Sequence, residues 1–296
     1  MANLFKAFLF KLKRDLTFRI TLFIGIGMAV IMTLGFLAYD VLSSLDGGEF
    51  DIRYCCGQNL LINTLNPANN FGLVIPVLLT VFTVSEFSSG TIRNKIITGN
   101  SKTKIYFSIW LSGLIFTFAV IIAYVGLCVA LSSIVGGFDV NGTIFATSSL
   151  SSTLNTLMYN PHITGNLIWK IIVSGIVIYI FVTSMTVFFS TLFRNIGPCI
   201  PIIIVLLIIF STSSLIVNIF AMADAEEEFA KNMIMASRWI NPLFGLDSYS
   251  IQKVSDNEYV YAIENGNLLI HIACNMIYST LFTLGGWLIF RKRDVK

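Results

Sequence analysis

Glu226, Glu227 and Glu228, followed by Lys231, set carboxylates beside an amine, a grouping that could exchange protons or hold a metal ion. Intramembrane hydrolysis would need such carboxylates inside the bilayer, facing a pair of buried histidines. This cluster lies outside the long apolar runs, its basic member is a lysine, and the two histidines stand apart from it. His162 is in a loop beside Pro161, and His271 is at the edge of the last apolar run. The zinc pattern HExxH and the nucleophile elbow GxSxG are both missing. Of the five cysteines, Cys128, Cys199 and Cys274 fall within apolar runs and read as small buried hydrophobes. Cys55 and Cys56 are adjacent, a spacing that rarely meets disulfide geometry, so they read as free thiols or loop packing. The expectation is a protein that is not an enzyme, with no catalytic, cofactor-binding or metal-binding residues of its own.

The surrounding elements explain that poverty. Hydrophobic residues make up 55% of the chain and charged residues 12%, against about 25% charged in ordinary soluble domains. The mean hydropathy of +0.81 places the chain in a bilayer. A hydrocarbon core of about 30 Å needs roughly 20 mostly apolar helical residues per crossing. Six stretches qualify, at about 18–39, 69–87, 105–135, 166–191, 196–222 and 267–290. The expected fold class is all-α: a polytopic protein of six transmembrane helices in a single domain, 1–296, with both termini on one side.

Basic residues in short loops favour the cytoplasm. Lys6, Lys11, Lys13, Arg14, Arg19, Arg93, Lys95, Lys102, Lys104, Arg194, Arg291, Lys292, Arg293 and Lys296 all fall on the side of the termini, fourteen of the 19 basic residues. Of the 16 acidic residues only Asp15, Glu86 and Asp294 join them. Both termini are expected in the cytoplasm, and the net charge of +3 is a mark of topology with no nucleic-acid partner implied. The first run has a long basic lead-in and no small-residue cleavage site, so it is expected to stay as a span. Residues 3–17 place Leu4, Phe5, Phe8, Leu9, Leu12 and Leu16 at helical spacing, which predicts an amphipathic entry helix lying on membrane lipid. The loop 40–68, with Asp40, Asp46, Glu49 and Asp51 and the turn pair Asn66–Pro67, reads as an acidic outer surface. Residues 136–165 read as a flexible outer loop, and 223–266 as an outer helical insertion.

Between the second and third runs lies a polar, basic interlude, Glu86 to Lys104, punctuated by Gly90, Gly99 and Asn100. As a helix from Phe87 to Ile97 it would carry a small apolar stripe of Ile92, Ile96 and Phe87, flanked by Arg93 and Lys95. Glu86 is expected to pair with Arg93 or another nearby cation and so hold the angle of a rigid lever. No ionisable residue stands at mid-membrane: Glu86, Lys170 and His271 all lie near span ends. GxxxxGK[ST] is missing too, so any ATP and Mg would be bound by a partner chain. The remaining polar groups of interest are hydroxyls. Ser211, Thr212, Ser213 and Ser214 in the fifth run, and Thr80 and Thr83 with Pro76 in the second, could serve helix packing, a path or a dimer interface.

The stretch Gly90-Thr91-Ile92-Arg93-Asn94-Lys95, preceded by Glu86 and followed by Ser101-Lys102-Thr103-Lys104, resembles the loop between the second and third spans of ABC-2 type transporter permeases. The resemblance extends along the chain to the entry helix, the six spans, the insertion after the fifth and the Asn241-Pro242-Leu243 triplet. It implies a coupling helix seated in a cleft of a separate ATP-binding subunit, with Glu86, Thr91, Ile92, Arg93, Lys95 and Ile96 at the contact. It implies also a second permease copy or related permease, meeting this one through the second and fifth spans. An export function follows from the same resemblance; a path lined by apolar and hydroxyl groups suits an amphipathic or hydrophobic cargo such as a peptide, antibiotic or lipid, and the acidic outer loops point to a bacterial plasma membrane. Sodium export and a channel or scaffold independent of ATP are the alternatives.

Overall fold

The computed structural model describes residues 10, 12, 14–45, 55–65, 74–88, 91–138, 165–222, 232, 235–237, 239–243, 250–255, 258–262 and 265–292. Most of the entry helix 3–17, the loop around His162, Glu226 to Glu228 and Gly90 lie outside these residues. The described helices are α1 (Leu16–Leu45), α2 (Gly57–Leu65), α3 (Val74–Ser88), α4 (Thr91–Ile97), α5 (Lys102–Gly136), α6 (Gly165–Phe193), α7 (Ile196–Met222) and α8 (Asn265–Lys292). Five of them, α1, α5, α6, α7 and α8, are long and apolar enough to cross a membrane. α3 and α4 make a sixth only when taken together, across a bend of 48°. The chain is thus a multi-pass membrane protein with five to six candidate spans, at the places the hydropathy pattern predicts.

Direction alternates along the bundle. The start of α5 meets the finish of α8, where Lys102 Nζ donates to the Arg291 carbonyl at 3.3 Å and Trp287 Nε1 to Thr103 Oγ1 at 3.1 Å. This is the terminal end and the opposite one the distal end; α1 runs in the same sense as α5, with Phe18 beside Phe116 and Ala29 beside Cys128. α6 is the hub, in contact with α2, α3, α5, α7 and α8. From Phe181 to Val187 it is buried all the way round. Its hydroxyls tie it to its neighbours: Thr183 Oγ1 donates to Thr117 Oγ1 at 3.0 Å, Trp110 Nε1 to Ser184 Oγ at 3.0 Å, and Thr83 Oγ1 to Ser190 Oγ at 2.8 Å. Lipid tails offer no hydrophobic contrast to drive helices together, so such interhelical bonds and close packing carry the association.

Asp46, Glu49, Asp51 and Asn66–Pro67 of the expected surface loop lie outside the described residues, and the part of 40–68 that is described is not a surface loop. Residues 55–61 and 63–65 are buried, and α2 packs between α5 and α6. Gly57 N–H donates to the Gly137 carbonyl at the distal end of α5, at 3.0 Å, and Leu65 at the other end of α2 meets Gly175 of α6. α2 therefore descends into the bundle. α3 follows, with Leu79 against Gly113 of α5; of the expected span 69–87, residues 74–87 are helical and 69–73 lie outside the described residues. The 15 described helical residues of α3 rise about 22 Å, against a hydrocarbon core of about 30 Å. Asp40, fully buried at the distal end of α1, accepts the Cys55 N–H at 2.8 Å. A carboxylate at a helix N-terminus meets unpaired N–H groups and the positive end of the dipole. The polar residues of α2 bond internally, as with Asn63 Nδ2, 2.9 Å from both Asn59 O and Asn59 Oδ1.

All five cysteines are free and buried. Burial first, then the charge of Asp40 and the neighbouring Cys56, push the Cys55 thiol up to about 11, and burial raises Cys56 as well. A folded chain that keeps this proton to about 11, against an ordinary 9.0, holds that share of its stability fully below pH 9.0 and loses it as pH rises through about 11. The expected outcome is that a maleimide at pH 7.5 labels neither Cys55 nor Cys56 in the folded protein and both after denaturation. Labelling of the folded chain at the denatured rate would show that α2 is not held in the bundle.

The insertion 223–266 also differs from its expected helical character. Its described part holds helical residues at 232, 235–237 and 239–240, then a β hairpin of β1 (Ser250–Ser255) and β2 (Glu258–Ala262), antiparallel, with Ser250 opposite Ala262. The aromatic and β-branched run Tyr259-Val260-Tyr261 favours a strand, and Asp256–Asn257 supplies turn formers between the two. The all-α expectation holds for the membrane bundle and not for this appendage.

Candidate functional site

The polar interlude folds as an elbow. α3 ends at Ser88, α4 begins at Thr91, and the two meet at 48°. Seven residues make α4 only about 10 Å long, too short to persist without tertiary support. Its finish is secured by Gly99, whose φ of +85° is left-handed and suits glycine. Gly99 N–H donates to the Ile96 carbonyl at 2.9 Å, and Thr98 Oγ1 and Asn100 Nδ2 both reach the Lys95 carbonyl. Ser101 then caps α5, accepting the Lys104 N–H at 3.4 Å.

Helical spacing divides α4 into three faces. Thr91 and Lys95, four residues apart, turn towards Glu86. Its carboxylate is fully buried, and Lys95 Nζ lies 2.8 Å from Oε2 while Thr91 Oγ1 donates to Oε2 at 3.1 Å and to the Glu86 carbonyl at 2.9 Å. Ile92 and Ile96, also four apart, enter a small second core with Ile105, Tyr106, Ile109, Val187 and Phe290. The third face, Arg93, Asn94 and Ile97, is exposed, Ile97 to 72%. Phe87 contributes to the second core and lies under the Arg194 guanidinium, 5.9 Å from Cζ to the ring centre.

The six residues expected at an ATPase contact are therefore brought together but do different work. Glu86, Thr91 and Lys95 form the latch of the elbow, Ile92 and Ile96 anchor it to α5, α6 and α8, and Arg93 alone of the six points fully outward. The partner of Glu86 is Lys95, because Lys95 shares a helical face with Thr91 and Arg93 does not. Asn94 and Ile97, which the sequence reading left out, complete the outward face; their i+1 and i+4 spacing from Arg93 was the available signal.

No protein-family model matches the chain, and neither does any curated protein or solved structure. What the elbow can do is thus argued from its own geometry. It is an arm latched by Glu86, Thr91 and Lys95, with a cationic and apolar outer edge of Arg93 and Ile97.

The candidate path residues separate. Pro76, Thr80 and Thr83 are buried inside one copy of the bundle, Thr80 Oγ1 donating to the Pro76 carbonyl at 2.7 Å. They pack α3 on α6 and α7 and do not face outward to a second copy. Thr212 is exposed and bonds back to the Ile208 carbonyl at 2.7 Å; Ser211 and Ser213 are half-buried, and the Ser214 side chain lies outside the described residues. Ser213 Oγ accepts Asn241 Nδ2 at 3.0 Å, and the same amide donates to the Phe210 carbonyl at 2.7 Å. Asn275 Nδ2 of α8 in turn donates to the Pro242 carbonyl at 2.9 Å. The Asn241-Pro242-Leu243 triplet is a clasp between α7 and α8. Asn275 belongs to a buried row, His271, Asn275, Ser279 and Thr283, at four-residue intervals along α8. Sequence reasoning took His271 alone; the spacing of the other three was legible and passed over.

Proposed function

We propose that the chain is the permease subunit of an ATP-binding-cassette exporter, working with a separate ATPase subunit that binds ATP and Mg. The observation that carries this reading is the elbow: an arm latched by Glu86 and Lys95, anchored by Ile92 and Ile96, whose outward edge of Arg93, Asn94 and Ile97 is left for a partner. An arm fixed to three membrane helices transmits a push at its edge to the bundle, and a chain without a P-loop or mid-membrane charge needs its energy delivered from outside. The basic excess at the terminal end supports a cytoplasmic location for that end and for the elbow, in the plasma membrane of a bacterium. A second permease would complete the path, for a cargo that is amphipathic or hydrophobic, in keeping with walls of aliphatic and hydroxyl groups.

The test is co-purification from native membranes, followed by transport-coupled ATP hydrolysis. The chain is expected to bring down a P-loop ATPase, and Arg93→Glu with Ile97→Asp to weaken that association by roughly 10- to 100-fold, the range of a truncated interface hot spot. A chain that co-purifies with no nucleotide-binding partner, or a doubly substituted edge that keeps full coupling, would sink the proposal.

A further inference from the structure

On the side of the bundle away from the elbow, α2 props α5 and α6 apart in the distal half and leaves a lateral groove between them. Its volume is about 340 Å³, more than twice the roughly 150 Å³ that holds a benzene ring in an engineered protein cavity. Leu61 and Leu65 of α2 form its back wall, Val125 and Gly126 one side, Ile176 and Tyr179 the other. Two glycines make it possible. At Gly175 a Cβ would come within 3.0 Å of Leu65 Cδ2, so a side chain there would have to displace Leu65 for α2 to stay as close to α6. At Gly126 a Cβ would meet nothing within 4 Å, and the space a side chain would take is part of the groove.

The exposed residues Ile122, Ile172 and Ile176 are among its lining, so the mouth opens on the face that the spans turn to lipid. Water is a poor occupant, since a buried water needs two to four polar partners and the lining is almost wholly apolar. A void is costly as well, because the lining atoms would lose their dispersion contacts. The medium at the mouth is hydrocarbon. Trp169, on the same helical face one turn before Ile172 and 48% exposed, lies at the boundary of the candidate span 168–193, the level at which tryptophans meet lipid headgroups. The groove begins about 5 Å below that level and continues for two turns of α6, about 11 Å, so that its floor lies roughly 15 Å deep, half of a hydrocarbon core of about 30 Å.

We propose that this groove is a binding site for one acyl chain of a membrane lipid in the leaflet at the distal end, with the headgroup beside Trp169. The site requires neither an ATPase nor a second permease, so its failure and that of the proposed function are separate results.

The full-length chain, without nucleotide or partner, is reconstituted in phosphatidylcholine vesicles doped with phosphatidylcholine bearing a diazirine in one tail. Photolysis is followed by mass-spectrometric mapping of labelled peptides. Labelling of residues 118–126 and 172–179 is expected to exceed that of the exposed apolar face of α1, at Phe23 and Ile31, by at least five-fold. Gly126→Phe, which fills the groove from α5, is expected to remove most of the excess while labelling of α1 stays constant. Ile176→Trp fills it from α6 and decides the matter should Gly126→Phe fold poorly. Groove labelling no greater than that of α1, or an excess that survives the folded fillers, overturns the proposal. So does an efficient disulfide between two copies carrying Ile122→Cys, which would put protein where the lipid tail belongs.

Discussion

Lys95→Met is expected to destabilise the folded chain by about 3–5 kcal/mol, the usual cost of removing one partner of a buried ion pair. Glu86 is fully buried and the Lys95 side chain is 20% exposed, so little solvent is at hand to take over the charge. Thr91 Oγ1 remains within 3.1 Å of Glu86 Oε2 but supplies one neutral hydrogen bond in place of a cation. Lys95→Glu is worse, setting a second carboxylate against the first in the same cramped turn. The exchange Glu86→Lys with Lys95→Glu, and the neutral pair Glu86→Gln with Lys95→Met, should each recover a large part of the loss, since buried ion pairs are often replaceable by uncharged partners. Thermal unfolding in detergent across the four corners of the double-mutant cycle reads the coupling directly. Single substitutions within 0.5 kcal/mol of the parent would mean that the pair does not hold the elbow. The exposed Arg93 gives the contrast: its substitution should leave unfolding unchanged while affecting partner binding.

That contrast shows where the sequence was informative. The elbow was visible as a basic, glycine-punctuated interlude, and the apolar pair Ile92 and Ile96 at four-residue spacing was correctly read as a stripe. Its direction was not legible: a stripe of two isoleucines serves equally to bind a partner or to anchor the helix to its own bundle. Only the positions of Ile105, Tyr106 and Phe290, far away in sequence or across a turn, decide for the anchor. Likewise the choice between Arg93 and Lys95 as partner of Glu86 depends on the bend after Ser88, which composition does not encode. The long spans were legible because 18 or more apolar residues in a row have few alternatives. α2 was not, because GQNLLINTL is short and carries Gln58, Asn59 and Asn63, which suggest a solvated loop. It can be buried because Asn63 bonds Asn59 one turn before it, because the end of α5 accepts its first N–H groups, and because Asp40 accepts the N–H of Cys55 just ahead of it. Those partners are tertiary and leave no periodic trace.

The hydroxyl residues teach the same point from the other direction. A serine-threonine cluster such as 211–214 draws attention in an apolar run, yet Thr212 merely bonds its own helix. Ser213 of that cluster does accept Asn241 Nδ2 in the clasp, but three further hydroxyls that join helices, Thr183, Ser184 and Ser190, are spread along α6 and look unremarkable in sequence. Their importance comes from α6 being central, so that hydroxyls on different faces of the helix meet different neighbours.

Gly57→Ala and Gly126→Ala are the same substitution in two helices of one bundle, and they are expected to have opposite signs. In α2 a Cβ on Gly57 would press on Ser133 Oγ and come within 2.8 Å of Phe138 Cδ2 and 3.3 Å of Phe138 Cα. The Phe138 ring is exposed and can swing aside, but its Cα belongs to the strap in which Gly57 N–H and Gln58 N–H donate to the carbonyls of Gly137 and Phe138 at 3.0 and 3.1 Å. The backbone on both sides is thus fixed by the hydrogen bonds that the new methyl would push against. Overpacking of this kind costs about 1–3 kcal/mol, and Gly57→Leu should exceed that range. In α5 a Cβ on Gly126 meets nothing within 4 Å, so the gain of a better helix former remains, about 0.5–1 kcal/mol of added stability. Thermal unfolding of the two variants beside the parent measures both signs. A second readout locates the first: loosening the strap frees the start of α2, so Cys55 and Cys56 should take up maleimide in folded Gly57→Ala at a temperature where the parent and Gly126→Ala remain protected. Equal unfolding temperatures for the two variants, with equal thiol protection, would mean that α2 does not enter the bundle where Gly57 meets Gly137.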